Sequence, residues 1–160
     1  MKRNWIKTGV MVLAAVMGLV SCETAQEKEE KQKEAFIGAY TYETTGEVDL
    51  YALGQKFYTL PLNTTGSFDI VACEESNRVA IVKGNDSIYA VVSGNNLLLE
   101  VPSLNYTYND FEVKLVFSGN KATRNADNTL HWQSDVMATA TYSSYQLSGN
   151  GNIDLVATKQ

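Results

Sequence analysis

The feature that most constrains this chain is an alternation of apolar and polar residues that runs from residue 36 to the C-terminus. The alternation is cleanest over residues 110–118, where the apolar positions are Phe111, Val113, Leu115 and Phe117. A period of two is typical of a β-strand with one buried face. Clusters of Gly, Asn, Asp and Ser interrupt the pattern, as at residues 93–96, and these residue types favour tight turns. The chain is therefore predicted to be all-β beyond residue 36.

The alternation divides the chain into about eight strands. They are predicted over residues 38–45, 67–73, 78–83, 87–92, 97–101, 110–118, 129–142 and 145–158. Residues 46–64 are interpreted as the outer part of a long first strand followed by a connecting flap, and residues 102–109 and 119–128 as loops. Strands joined by short turns pair antiparallel, and eight of them can close into a barrel, which removes both sheet edges. We predict a single antiparallel up-and-down β-barrel, with a β-sandwich as the alternative.

The N-terminal part of the chain has a different composition. Residues 1–21 combine Lys2, Arg3 and Lys7 with an uncharged, mostly apolar run over residues 10–20, the pattern of a secretory signal. This run is shorter than the ~20 residues that a membrane-spanning helix needs. Residues 22–35 are highly charged and are predicted to form a solvated tether, because a short isolated helix is marginal in water. The β-barrel domain is predicted to occupy residues 36–160.

The residues Leu19-Val20-Ser21-Cys22 resemble the lipobox of bacterial lipoproteins. The resemblance implies that Cys22 carries lipid, which would anchor the chain to the envelope of a Gram-negative bacterium, at the outer membrane. The acidic, lysine-containing run that follows Cys22 is similar to the surface-export signal of Bacteroidetes lipoproteins, which implies outward display.

Three short motifs in the β region also resemble a family. They are Gly38-Ala39-Tyr40, Thr-Gly-Ser-Phe-Asp-Ile at residues 65–70, and Val-Ser-Gly-Asn-Asn-Leu-Leu-Leu at residues 92–99. Together with the signal sequence they look like the lipocalin-like, or calycin-like, lipoproteins of Bacteroides. This resemblance implies a barrel that binds a small ligand.

Composition argues against several classes of function. The formal net charge of −5 and the absence of a basic stripe disfavour nucleic-acid binding. No Gly-rich phosphate loop is present, and one His with one unpaired Cys does not make a zinc site, so no cofactor or metal is expected. His131 alternates with Leu130 and Trp132 and is predicted to face away from them, in a structural or solvent-facing role. Cys73 is predicted to be buried, with a reactive thiol as the alternative. No catalytic motif is visible, so the chain is not expected to be an enzyme.

Aromatic residues are the candidate ligand contacts. Tyr40 and Tyr42 share one face if the chain there is extended, as do Tyr106 and Tyr108, and Trp132 is a fifth candidate. They suggest binding of an apolar or glycan-like ligand inside the barrel or at its mouth. Tyrosine is also an ordinary strand residue. If residues 111–117 fill the barrel, the alternative is a protein-interaction module, such as an inhibitor or an accessory subunit of an envelope complex, that acts through residues 102–109 and 119–128.

One modification motif lies at a predicted turn. Asp86-Ser87-Ile88 resembles the O-glycosylation motif of exported Bacteroidetes proteins. This resemblance makes Ser87 a candidate glycosylation site.

Overall fold

The computed structural model describes residues 24–101 and 103–160. The signal sequence, the lipobox and Cys22 lie outside these residues. The described chain forms one helix and eleven strands: α1 (Ala25–Phe36), β1 (Gly38–Ala52), β2 (Gln55–Pro61), β3 (Thr64–Ala72), β4 (Arg78–Lys83), β5 (Asp86–Ser93), β6 (Asn96–Leu99), β7 (Ser103–Tyr108), β8 (Phe111–Phe117), β9 (Lys121–Arg124), β10 (Thr129–Tyr142) and β11 (Tyr145–Lys159).

Eight of the strands close an antiparallel barrel in the order β1-β3-β4-β5-β6-β9-β10-β11. Closure is complete because β11 pairs with β10 on one side and with β1 on the other. The strands follow one another around the barrel in chain order, which confirms the predicted up-and-down barrel and rules out the sandwich. The set of strands that forms the barrel wall differs from the prediction. The short strand β9 completes the wall, whereas β8 lies outside it.

Three of the barrel strands continue well past the barrel. β1, β10 and β11 contain 15, 14 and 15 residues. The far half of β1 pairs with β2, and the far half of β10 pairs with β8, which pairs in turn with β7. The result is a second, open sheet with the strand order β2-β1-β11-β10-β8-β7, which we call the extension.

The chain leaves the barrel at two places, and a buried hydroxyl group marks each. Thr44 lies where β3 replaces β2 beside β1, and Thr64 N–H donates to Thr44 Oγ1 at 3.0 Å. Ser134 lies where β9 replaces β8 beside β10, and Gly119 N–H donates to Ser134 Oγ at 2.8 Å. These two are the buried polar residues among the described ones. They satisfy backbone groups that the ladder cannot pair at the two breaks.

The barrel and the extension have separate apolar cores. The barrel core contains Phe36, Tyr40, Phe68, Ile70, Val79, Ala90, Val92, Leu97, Ala122, Leu130, Trp132 and Ala157. The extension core contains Val48, Leu50, Leu60, Leu62, Phe111, Val113, Leu115, Val136, Ala138, Ala140 and Leu147. The predicted buried face of residues 111–117 is therefore confirmed for its first three apolar residues, but these side chains fill the extension and not the barrel. Phe117 contacts both cores.

The segment predicted as a tether is helical from Ala25. Contacts at both ends stabilise this helix. A capping box links Thr24 and Glu27, and it satisfies backbone N–H groups at the helix start. At the other end Phe36 is 1% exposed in the barrel core. The side chain of Lys33 also donates to the carbonyl oxygen of Glu75 at 3.1 Å, so tertiary contacts hold a helix that would be marginal alone.

Two predicted loops are corrected by the structure. Most of residues 102–109 is the edge strand β7, and residues 121–124 form β9. β9 has only four residues, too few to show an alternation. β7 does alternate, with Leu104, Tyr106 and Tyr108 on one face, but it pairs on one side only and lies within a segment interpreted as a loop. Cys73 is half-buried rather than buried, because β3 ends at Ala72 and places it at the start of a turn.

Within residues 24–101 and 103–160, no helix is long and apolar enough to cross a membrane.

Candidate functional site

The barrel interior is occupied by aromatic side chains that bind one another. Tyr40 and Phe68 stack with ring centroids 5.4 Å apart, and the Tyr40 hydroxyl donates to the carbonyl oxygen of Phe36 at 2.8 Å. Burial raises the pKa of Tyr40. Trp132 packs on Phe117 at 5.3 Å, and its Nε1–H donates to the carbonyl oxygen of Gly119 at 2.9 Å. The polar atoms of Tyr40 and Trp132 thus form hydrogen bonds within the protein, so both residues contribute to the packing of the barrel core.

The structure separates the five predicted ligand-contact aromatics. Tyr40, Tyr42 and Trp132 lie in or against the barrel core. Tyr42 packs over Gly66, where a Cβ atom would come within 2.9 Å of its ring, and its hydroxyl accepts a hydrogen bond from Lys83. Tyr106 and Tyr108 pack against the extension core instead. No common site includes all five.

The far end of the extension carries an aromatic cluster that the sequence did not reveal. Phe111 stacks on Tyr142 at 4.8 Å and on Tyr58 at 5.1 Å. Phe57 contacts Phe111 at 6.5 Å and Tyr142 at 5.9 Å. Tyr58 and Tyr108 share a hydrogen bond between their hydroxyl groups, and this bond raises the pKa of Tyr58. These residues come from β2, β7, β8 and β10 and meet only because the strands curl around one core.

Three hairpin turns surround this cluster, at residues 53–54, 109–110 and 143–144. Large apolar side chains are exposed around them: Tyr51 (38%), Leu53 (102%), Phe57 (46%) and Tyr145 (57%). We call the three turns, these four residues and the cluster the distal tip. β1 connects the end of α1 to the distal tip, and its 15 residues span at most about 50 Å when extended.

Leu53 is the most unusual residue of the distal tip. It occupies a two-residue turn with Gly54, and both have positive φ, 49° and 77°. Such turns favour Asn, Asp and Gly, because a larger L-residue with positive φ brings its Cβ atom close to a carbonyl oxygen. Leu53 therefore has an unfavourable backbone conformation and a fully exposed apolar side chain. Neither property stabilises the isolated chain.

A polar groove crosses the outer face of β1, β11 and β10, where the barrel meets the extension. We call it the junction groove. It has a volume of about 920 Å³ and is bordered by Asn63 on one side and by Ser118 and Gly119 on the other. Its floor presents Thr45, Glu47, Gln133, Asp135, Asn152 and Asp154. Amide and carboxylate groups dominate this surface, which suits a ligand rich in hydroxyl groups.

His131 lies on the same outer face and beside the junction groove. Its Nε2 atom is 2.6 Å from Asp154 Oδ1, and Gln133 Nε2 donates to Asp154 Oδ2 at 3.2 Å. The predicted orientation, opposite to Leu130 and Trp132, is confirmed. Among the described residues, no three His, Cys, Asp or Glu side chains come together in a way that would hold a metal ion.

Ser87 is exposed near the start of β5, beside the turn that joins β4 to β5. Its surroundings leave the hydroxyl group accessible, and glycosylation of Ser87 stays a prediction.

Comparison with known proteins adds little. No family model matches the chain, and no curated protein matches it. Among solved structures, the monomer form of the M. tuberculosis PknI sensor domain is similar with a TM-score of 0.40 and 9% sequence identity. The alignment covers 78% of this chain and 86% of that one. Similarity at this level does not indicate a shared function.

Proposed function

We propose that the chain is an envelope lipoprotein that acts as a protein-interaction module and binds its partner with the distal tip. The observation that carries the proposal is Leu53, which is fully exposed in a conformation that disfavours leucine. Contact with an apolar surface would compensate for both the exposure of the side chain and the unfavourable backbone conformation. The filled barrel supports this function over enclosure of a small ligand, and the proposal includes no covalent chemistry.

The chemistry around Leu53 favours a protein pocket over a lipid surface. Lys56, three residues along the hairpin, is neutralised by Asp49 at 2.6 Å. Asp110 lies at the turn of the neighbouring hairpin. Anionic lipid surfaces attract Lys and Arg side chains. The distal tip instead presents the carboxylate of Asp110 and the neutralised Lys56–Asp49 pair, so its charges do not favour a lipid surface. A partner with an apolar pocket would accept Leu53, with Phe57 and Tyr145 packing at the pocket rim.

The proposed anchor is compatible with this arrangement. Lipid on Cys22 would attach just before α1, which packs at the barrel end of the molecule. The distal tip would then be held away from the attachment point. Residence at the outer membrane of a Gram-negative bacterium, with outward display, is part of the proposal and rests on the sequence motifs.

The test places a photo-crosslinking amino acid at residue 53 of the full chain in its own host, and at residue 137 as a control. Met137 is also apolar and exposed (63%), but it lies on the outer face of β10, away from the tip. A discrete protein adduct from residue 53 alone, absent when a competing chain with Leu53 is in excess but retained when the competitor carries Leu53→Asn, would support the proposal. Equal adducts from both positions would contradict it.

Native mass spectrometry of protein isolated from the host tests the competing function. A small non-covalent mass that leaves on denaturation would favour a ligand carrier. A co-isolated polypeptide that is lost in Leu53→Asn but kept in Met137→Asn would favour the interaction module.

The junction groove supports a second candidate function, the binding of a glycan-like ligand on the outer face. Asn152 and Gln133 present amide groups there, and both lie on strands held rigidly by the closed barrel. Binding of an oligosaccharide array by the wild type, lost in Gln133→Ala and kept in Leu53→Asn, would support this function. No binding by the wild type would contradict it.

A further inference from the structure

The extension is open, so it has two sheet edges that the closed barrel lacks. β2 pairs only with β1, and β7 pairs only with β8. An unpaired edge presents backbone N–H and C=O groups that another strand can bind. Natural sheets usually protect such edges with charge, proline or a bulge. The two edges of the extension differ in this respect.

The β2 edge has all three kinds of protection. It contains Lys56, which is half-exposed, and it ends at Pro61, which has no N–H group to donate. The register between β1 and β2 also shifts at Leu50 and Tyr51, and this shift leaves Phe57 without a direct partner. A second strand could not pair with this edge over its whole length.

The β7 edge has none of these three kinds of protection. Its sequence, Ser-Leu-Asn-Tyr-Thr-Tyr, contains no charged residue and no proline. It pairs with β8 in unbroken register from Ser103↔Val116 to Tyr108↔Phe111. Of its six residues, three are exposed and three are half-buried. A regular, uncharged strand of this kind is a template for strand addition.

The side chains of β7 determine which kind of strand could pair with this edge. Leu104, Tyr106 and Tyr108 alternate on the face that continues the extension core, and Leu104 is still 51% exposed. Ser103, Asn105 and Thr107 alternate on the opposite, polar face. An added strand that matches both faces is therefore apolar on one face and polar on the other.

We propose that the β7 edge binds a second copy of this chain by antiparallel pairing with that copy's β7. A two-fold axis perpendicular to the sheet keeps the apolar faces of both strands on one side and the polar faces on the other. With the axis at Tyr106, Leu104 lies opposite the second copy's Tyr108, and Asn105 lies opposite its Thr107. Every apolar residue then meets an apolar one, and no like charges are opposed.

The hairpin geometry shows which backbone groups would bind. Tyr108 and Phe111 flank the two-residue turn and form its closing pair. In an antiparallel ladder hydrogen-bonded pairs alternate with non-hydrogen-bonded ones, so Thr107 and Asn105 direct their N–H and C=O groups to the free edge. Proline at residue 107 would thus remove an edge donor and leave the β7–β8 ladder intact.

The test is native mass spectrometry of the full chain at rising concentration, with three variants. We expect the wild type to shift from one chain to two, Thr107→Pro and Asn105→Lys to stay monomeric, and the control Gln55→Lys on the protected edge to dimerise like the wild type. Circular dichroism establishes that each variant is folded. A wild type that stays monomeric, or a dimer that survives both edge variants, would overturn the proposal. Leu53 lies in the β1–β2 turn and takes no part in this pairing, so Leu53→Asn should dimerise normally.

Discussion

Thr44 Oγ1 donates a hydrogen bond to the carbonyl oxygen of Leu62 at 2.7 Å, inside the protein, at the point where β2 gives way to β3. The same oxygen accepts from Thr64 N–H. One hydroxyl group thus satisfies both ends of a break in the ladder. The break allows β1 to serve the barrel with one half and the extension with the other.

The isosteric change Thr44→Val tests the importance of this hydroxyl group. It removes the partner of one buried and one partly buried backbone group with little change in side-chain volume, and we expect the free energy of unfolding to fall by about 1–3 kcal/mol. Urea denaturation measures this loss. Thr44→Ser keeps the oxygen and should lose less, so a serine variant as unstable as the valine variant would mean that packing of the methyl group matters more.

Phe111 is the centre of the aromatic cluster and is 6% exposed. Truncation to Ala removes its stacking with Tyr142 and Tyr58, and we expect a loss of about 3–5 kcal/mol in the free energy of unfolding. Met137→Ala, on the exposed face of β10, should change stability by no more than about 0.5 kcal/mol. Chemical denaturation of both variants makes the comparison. A loss below about 1 kcal/mol at Phe111 would show that the extension is loosely packed.

Gly151 lies in β11 directly opposite Val48 of β1. A Cβ atom there would be 1.9 Å from the carbonyl oxygen of Glu47, a backbone atom that cannot move without opening the ladder. We expect Gly151→Ala to cost more than about 4 kcal/mol, or to prevent folding, as judged by soluble yield and thermal unfolding.

Gly84 is the matched control for this change. Its φ is 61°, and nothing lies within 4 Å of the added atom, so Gly84→Ala should cost only about 1–2 kcal/mol from backbone strain. Equal losses at the two positions would mean that steric contact with β1 is not the cause.

Asp49 links the two strands of the first hairpin. Hydrogen bonds from Lys56 and Thr59 hold the pKa of Asp49 below its usual value. A carboxyl group whose pKa is lower in the folded state stabilises the fold above its unfolded pKa of about 4, and this contribution disappears as the pH falls through the folded pKa.

The expected result is a smaller acid sensitivity when this pair is broken. Between about pH 7 and about pH 3, the wild type should lose more unfolding free energy than Asp49→Asn. Lys56→Gln should behave in the same direction, because it removes the main cause of the shift. Urea titrations at the two pH values provide the measurement, and identical pH dependence in all three proteins would contradict the prediction.

Leu53→Asn should make the protein more stable, although it is designed to abolish binding. Asn accepts a positive φ more readily than Leu, so we expect a gain of about 1 kcal/mol in the free energy of unfolding. Leu53→Ala keeps the strain and removes the apolar contact, and it should lose binding with no gain in stability. A destabilised Leu53→Asn protein would show that Leu53 has a structural role, and this would remove the main support for the distal tip as a binding surface.

The alternation of residue types was sufficient to predict an all-β chain and a closed barrel. Period-two patterns over residues 78–83, 87–92 and 129–142 identify strands because each has one face against a core and one against water. The buried face of Phe111, Val113 and Leu115 follows from the same pattern. So does the outward orientation of His131.

The pattern could not show which core a strand joins. A residue such as Phe111 has the same local signal in the barrel as in the extension, because burial on one face is all that alternation records. Pairing partners decide the difference: β8 binds the far half of β10, and the four-residue β9 binds the near half. For the same reason the five aromatic residues selected from sequence fall into two separate groups.

The sequence by itself determined most of the strands of this protein, because turn residues and alternation act locally. Only the tertiary structure decided the rest: the filled barrel, the distal tip assembled from four strands, and the contrast between a protected β2 edge and an unprotected β7 edge. These properties depend on contacts between residues far apart in the chain, such as Phe57 with Tyr142. Local preference carries no information about such contacts.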